Sequence, residues 1–238
     1  TWHSGATTTN GAQEGYSTNV SNVRLDRGRS VFDARHRAIV SFIWETPFFK
    51  DSQPLVRAIL GGWQLNGILA LQSGLPFTPF DGRSFSGGAG GDYNADGTAN
   101  DRPNTPASGN TIASDRNSWV NPGAGPFKIP TTASGGVPTT ADKIAFFGKP
   151  TPAPKDGTLG RNTFEGPGYA NTDFSVFKNF DLRAINEQAK IQFRAEFFNF
   201  FNRVNFRQPT VTINSSTFGR ATATFTARQI QFGLKFIF

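Results

Sequence analysis

In DYNADGTANDRP (92–103), Asp92, Asn94 and Asp96 stand at alternate positions and Gly97 permits a sharp turn. Side-chain oxygens at that spacing, closed by Asp101, are hard ligands of the kind calcium takes. The twelfth position, where an EF-hand needs a bidentate Glu, is Pro103, so the segment is no EF-hand. The competing reading is an Asx-rich turn held by its own side chains. Other chemistry is poorly provided for. Cysteine is absent, which removes disulfides, thiolate zinc sites and thiol nucleophiles. His3 and His36 are the only histidines. His36 lies in DARHR near Asp33, with no serine in a Gly-x-Ser-x-Gly setting, so packing or hydrogen bonding is its expected role. Arg194 and Glu196 invite an acid–base reading, but their spacing of two places them side by side on one face of a strand, where pairing with neighbours is commoner. GGAGGDYNADG is glycine-rich without a strand before it and a helix after it, so it is not read as a phosphate loop. The residues point to binding, not to an enzyme.

What must position these groups is read from the composition. The 238 residues hold 25 Phe against 3 Tyr and 4 Trp, yet mean hydropathy is −0.38, because Gly, Pro, Asn, Thr and Ser fill the intervals. Short apolar segments punctuated by Gly and Pro suit an all-β protein. No run approaches the ~18 apolar residues of a transmembrane helix, which leaves a β-barrel open. The net charge of +7 is spread out. Its densest group (Arg24, Arg27, Arg29, Arg35, Arg37) reads as a solvated loop, and no nucleic-acid partner is expected. The sequence begins Thr-Trp-His without methionine or a signal peptide, as a fragment of a longer exported protein would.

Five segments alternate with a period of two: 38–45, 63–73, 172–182, 189–200 and 228–238. In the last, Ile230, Phe232, Leu234, Phe236 and Phe238 share a face, and the alternation runs to the final residue. Lys178 breaks the apolar face of 172–182. Helix is the rival reading for 186–201, but Gln192, Arg194 and Glu196 line up only on a strand. Each segment has the length of a tilted membrane strand, ~9–11 residues.

If the last strand ends on the periplasmic side, the connections 1–37, 74–171 and 201–227 all face outside, and 46–62 and 183–188 face inside. Long outer and short inner connections are the barrel pattern. The same count puts Trp44, Trp63, Leu182, Phe236 and Phe238 at the inner interface, Trp44 and Trp63 forming an aromatic girdle. The connection 46–62 is long for an inner turn, and LVRAIL within it reads as a short helix. The stretch 74–171 shows no sustained period, though FFGKP and GTLGRNTFEGPGY look like ordered loop.

The terminal residues, with Gln231, Gly233, Phe236 and Phe238 at the key positions, resemble the C-terminal assembly signal of outer-membrane barrels, which docks on the barrel-assembly machinery by strand addition. With DARHRAIVSFIWETPF, GGWQLNGILALQSGLPFTP, DYNADGTANDRPN, GRNTFEGPGYANTDFSVFKNF and IQFRAEFFNFFNRVNF in that order, the chain from about Asp33 to Phe238 resembles the C-terminal part of TonB-dependent outer-membrane receptors of the Oar-like branch. The resemblance implies a barrel of about 22 strands around a plug, in the bacterial outer membrane, importing a solute with energy from TonB. Residues 1–238 would then be the C-terminal part of the barrel, about five strands, with plug, TonB box and signal peptide outside this sequence. Two rivals are a barrel serving adhesion without transport and a soluble carbohydrate-binding β-sandwich. The sandwich requires the apolar faces of 63–73 and 228–238 to pack on each other.

Overall fold

The computed structural model describes residues 19, 21–49, 51–82, 93, 95, 101–106, 116–120, 125–132, 134, 136–150, 155–182 and 188–238. Its strands are β1 (Arg37–Glu45), β2 (Trp63–Gln72), β3 (Pro76–Phe77), β4 (Phe164–Glu165), β5 (Tyr169–Asp181), β6 (Lys190–Phe198) and β7 (Gln229–Ile237). Its α-helices are α1 (Pro54–Leu60), α2 (Arg116–Val120) and α3 (Thr140–Phe147), with a 3-10 turn at Val23–Asp26. None of the helices is long and apolar enough to cross a membrane. Contacts divide the chain into two compact units.

The sheet unit covers 36–72, 169–205 and 225–238. Five strands run antiparallel in the order β1-β2-β5-β6-β7, so each strand lies beside its nearest neighbour in the chain among the long strands. Pairing such as Phe42↔Gly67↔Phe174↔Phe197↔Ile230 carries one apolar row across the whole sheet. The ring of Phe42 covers Gly67, in the place a Cβ there would occupy, which shields backbone that glycine leaves bare. The apolar face is open: Phe232 is 68% exposed and Leu234 76%. β2 and β7 belong to one sheet with β5 and β6 between them, so their apolar faces do not pack on each other and the sandwich expectation falls.

The five expected strands are present, with bounds shifted by a few residues at most. The largest shift is at β5, which starts at Tyr169 because Tyr169↔Gln72 and Asn171↔Ala70 continue its ladder with β2. The segment 190–198 is a strand, as the spacing of Gln192, Arg194 and Glu196 required. The expected short helix in the connection 46–62 is α1, opened by Pro54. Of the other inner connection, 183–187 lie outside the described residues; the Leu182 N–H donates to the Ala189 carbonyl across it at 2.8 Å.

The loop unit gathers 1–35, 73–168 and 206–224. By strand register, the chain of each leaves or enters the sheet at the Arg37–Gln72–Tyr169 and Phe198–Gln229 end. The second and third of these segments are far apart in sequence yet share one core of Phe77, Trp119, Phe127, Phe147, Leu159, Phe164, Val211, Ile213 and Phe218. Phe127 is central, with ring centroids 5.0 Å from Phe164, 5.2 Å from Phe218 and 5.6 Å from Phe147. Each such ring removed from water is worth roughly 1.5–3 kcal/mol. Burial therefore supplies the order that the sequence, lacking a period, did not announce. α3 is fixed by a capping box: Thr139 Oγ1 accepts from the Asp142 N–H at 3.2 Å, and the Asp142 carboxylate accepts from the Thr139 N–H at 2.9 Å.

Candidate functional site

On the sheet face opposite the apolar rows, β6 presents Gln192, Arg194 and Glu196, and β7 presents Gln231, Gly233 and Lys235 directly across from them. Together they line a groove of about 300 Å³. The groove holds both signs of charge. Arg194 Nη1 lies 3.6 Å from Glu196 Oε1, and its guanidinium sits 4.7 Å from the centroid of Phe177 on β5. Gln192 Nε2 donates to Asn179 Oδ1 at 3.1 Å. Arg194 and Glu196 thus act as paired wall residues. A Cβ at Gly233 would meet only Arg194 Cβ at 3.9 Å, so packing does not forbid a side chain there, and glycine leaves the groove open.

The same face changes character toward β1. There Ile39, Ile43 and Ile68 are 57%, 72% and 50% exposed, beside Ser41 and Asn66. The polar face is therefore half charged groove and half apolar patch.

The expected girdle residues fall together at the short-connection end of the apolar face. Trp44 pairs with Leu65, and Trp63 with Lys178. Phe236 and Phe238 stack at 5.6 Å near that end of β7. Of the assembly-signal residues, Gln231 and Gly233 line the groove while Phe236 and Phe238 face the other way. Lys178, which breaks the apolar stripe, is accommodated locally. Its Nζ donates to the Gly61 carbonyl and lies 5.4 Å from the Trp63 ring and 5.2 Å from the Phe180 ring.

In the loop unit, Asp92, Asn94 and Asp96 of the expected calcium segment lie outside the described residues. Asp101 is described and fully buried, and its carboxylate accepts from the Tyr93 N–H at 2.6 Å. The Tyr93 hydroxyl donates to a second buried carboxylate, Asp81, at 2.7 Å. Among the described residues no group of three or more His, Cys, Asp or Glu is placed to hold a metal. His36 stands exposed one residue before β1.

Sequence reasoning missed Arg102. Its side chain is buried, with Nε donating to the Leu159 carbonyl at 2.9 Å, Nη2 to the Leu25 carbonyl at 2.6 Å and Nη1 to Asp26 at 2.8 Å. One guanidinium ties three distant segments. Gly157 lies so close to the Arg102 carbonyl that no Cβ fits. Part of the basic group is likewise structural: Arg29 bonds Asp33 and Glu165 at 2.9 and 2.7 Å, and these carboxylates raise its pKa further, Asp33 foremost. The DRP step, an acid and a base ahead of proline in an apolar-poor stretch, was the available signal.

A family model described as an outer membrane beta barrel domain matches residues 1–231. The match ends before Gly233. No curated protein and no solved structure matches.

Proposed function

The chain belongs to the outer membrane beta barrel domain family, and from that premise we propose that it is the C-terminal part of the barrel of a TonB-dependent receptor of the Oar-like branch. The protein is a bacterial outer-membrane barrel: the open apolar face of the sheet meets lipid, and the groove-bearing face lines the lumen. In the proposed reading the loop unit binds a solute at the cell surface and the barrel admits it, by binding and gated passage without covalent chemistry.

The observation that carries the transport reading is the apolar patch on the lumen face. Exposed Ile39, Ile43 and Ile68 have no use in a water-filled channel, but they suit a wall against which a plug domain packs. The test is the thiol reactivity of Ile43→Cys in the complete parent protein, in membranes. Protection from a water-soluble maleimide, relieved by urea, supports a filled lumen. Reaction as fast in the native as in the unfolded protein sinks it and leaves the adhesion barrel. Energised uptake is then read as depletion of a solute from the medium only in cells with working TonB.

Two further roles belong to the same reading. The C-terminal strand, through Gln231, Gly233, Phe236 and Phe238, engages the assembly machinery, and Phe238→Ser would slow accumulation of folded barrel; unchanged yield would remove that role. Asp92, Asn94, Asp96 and Asp101 take calcium, supported by their spacing and by the burial of Asp101. Terbium luminescence of the parent protein, lost in Asp92→Ala, tests this; luminescence retained in that variant would leave the Asx turn.

A further inference from the structure

The connection between β1 and β2 is unlike an inner turn. It is long, contains α1, and exposes Phe48, Phe49, Leu55, Ile59 and Leu60, at 58%, 45%, 72%, 53% and 48%. Apolar side chains clustered this way mark an interaction surface. The occupant is set by the side chains that hold the connection. Three residues on the lipid-facing rows of the sheet, Trp44, Trp63 and Lys178, hold it. Trp44 packs edge-on against Phe48 at 6.1 Å. The Trp63 indole N–H donates to the Ile59 carbonyl at 3.0 Å. Lys178 Nζ donates to the Gly61 carbonyl, closing the far end of the connection. The segment is therefore fastened to the outward side of the wall, and its exposed apolar cluster continues the surface already facing lipid.

We propose that Phe48, Phe49 and residues 51–60 form an interfacial anchor, seated in the headgroup and upper acyl region of the phospholipid leaflet at the short-connection end of the barrel. Helix geometry supports this. Leu55 and Ile59 are four apart and share a face, while Arg57 falls on the opposite side, where it reaches phosphates or water. A short amphipathic helix flanked by two tryptophans and a snorkelling lysine is an interfacial design, with its apolar side some 5–10 Å into the boundary. Lys178 then has a second purpose: a cation on a lipid-facing row is tolerated because it ties down the anchor.

The test uses the complete parent protein, reconstituted in phospholipid bilayers, in a background free of other cysteines. Leu55→Cys, Ile59→Cys and Arg57→Cys each carry an environment-sensitive fluorophore, and heat-modifiable gel mobility confirms that each barrel is folded. The expected result is loss of emission at 55 and 59 with lipids brominated near the headgroup end of the acyl chain. Aqueous iodide should quench the label at 57 and spare the other two. Quenching of 55 and 59 by iodide with no response to brominated lipid overturns the proposal. Shielding of both from lipid and iodide alike also overturns it, in favour of a periplasmic protein or a second copy covering the helix.

Discussion

Phenylalanine serves opposite ends in the two units. In the loop unit Phe147, Phe164 and Phe218 are at most 1% exposed and pack on one another around Phe127. In the sheet unit Phe232 and Phe238 are 68% and 87% exposed. The first group hides from water inside protein, and the second waits for hydrocarbon. Composition alone could not assign these residues. Their spacing could: the lipid-facing ones recur every second residue, and the buried ones do not recur at all.

The sharpest way to break this contrast is to make the same change in both places. Phe147→Ala removes a ring with neighbours at 5.2 to 6.3 Å and should cost the loop unit about 3–5 kcal/mol. Protease added to intact cells making the parent protein should then cut within 73–168, while the barrel keeps its heat-modifiable mobility. Phe232→Ala should leave the loop unit uncut. If Phe232→Ala loosens the loop unit as much as Phe147→Ala does, the two aromatic populations are not energetically separate and the contrast fails.

A second change sharpens the contrast between the two faces of a single strand. Phe232→Lys places a charge on a lipid-facing row near the middle of β7, where it should cost about 2–4 kcal/mol. Gln231→Lys, one residue away on the lumen face, should cost little. Urea unfolding of the parent barrel in vesicles measures both. Equal losses would mean that β7 does not separate lipid from lumen. Lys178 gives no precedent for tolerance at Phe232, because it reaches the Gly61 carbonyl and two rings near the strand end.

The same contrast explains what was legible beforehand. All five wall strands could be read because a lipid face and a polar face force a period of two, and the lengths of their connections separated the long-connection end of the sheet from the short-connection end. Even Lys178 was visible as an anomaly, though not the carbonyl that resolves it. The loop unit was legible only in fragments. Its core residues come from segments more than fifty positions apart, such as Phe77, Phe147 and Phe218, and no local pattern announces that they meet. Arg102 was hidden for the same reason, since its partners at Asp26 and Leu159 lie on two other segments. The exception is α3. Thr139 followed by Asp142 at its start and Gly148 at its end, with φ of 75°, form local helix signals that a closer reading could have used.

That local signal supplies the finest test, because it isolates a stabilising element of the loop unit that owes nothing to the aromatic core. The Asp142 carboxylate accepts from the Thr139 N–H at 2.9 Å, the Thr139 hydroxyl at 2.8 Å and the Thr132 hydroxyl at 3.1 Å. These bonds, the Thr139 N–H first, hold its pKa below the ordinary carboxylate value. A depressed carboxylate contributes stability that is fully present above its unfolded pKa, about 3.9, and is lost as pH falls through the lower folded value. Protection factors for α3 amides, from hydrogen exchange on the parent protein, should therefore hold level from neutral pH to about 5 and decline below about 4. Thr139→Ala should lower the opening free energy they report at neutral pH by about 1 kcal/mol, and Asp142→Asn should flatten the acid decline. An acid decline that survives Asp142→Asn would place the titration on another carboxylate and leave the cap a passive feature of α3.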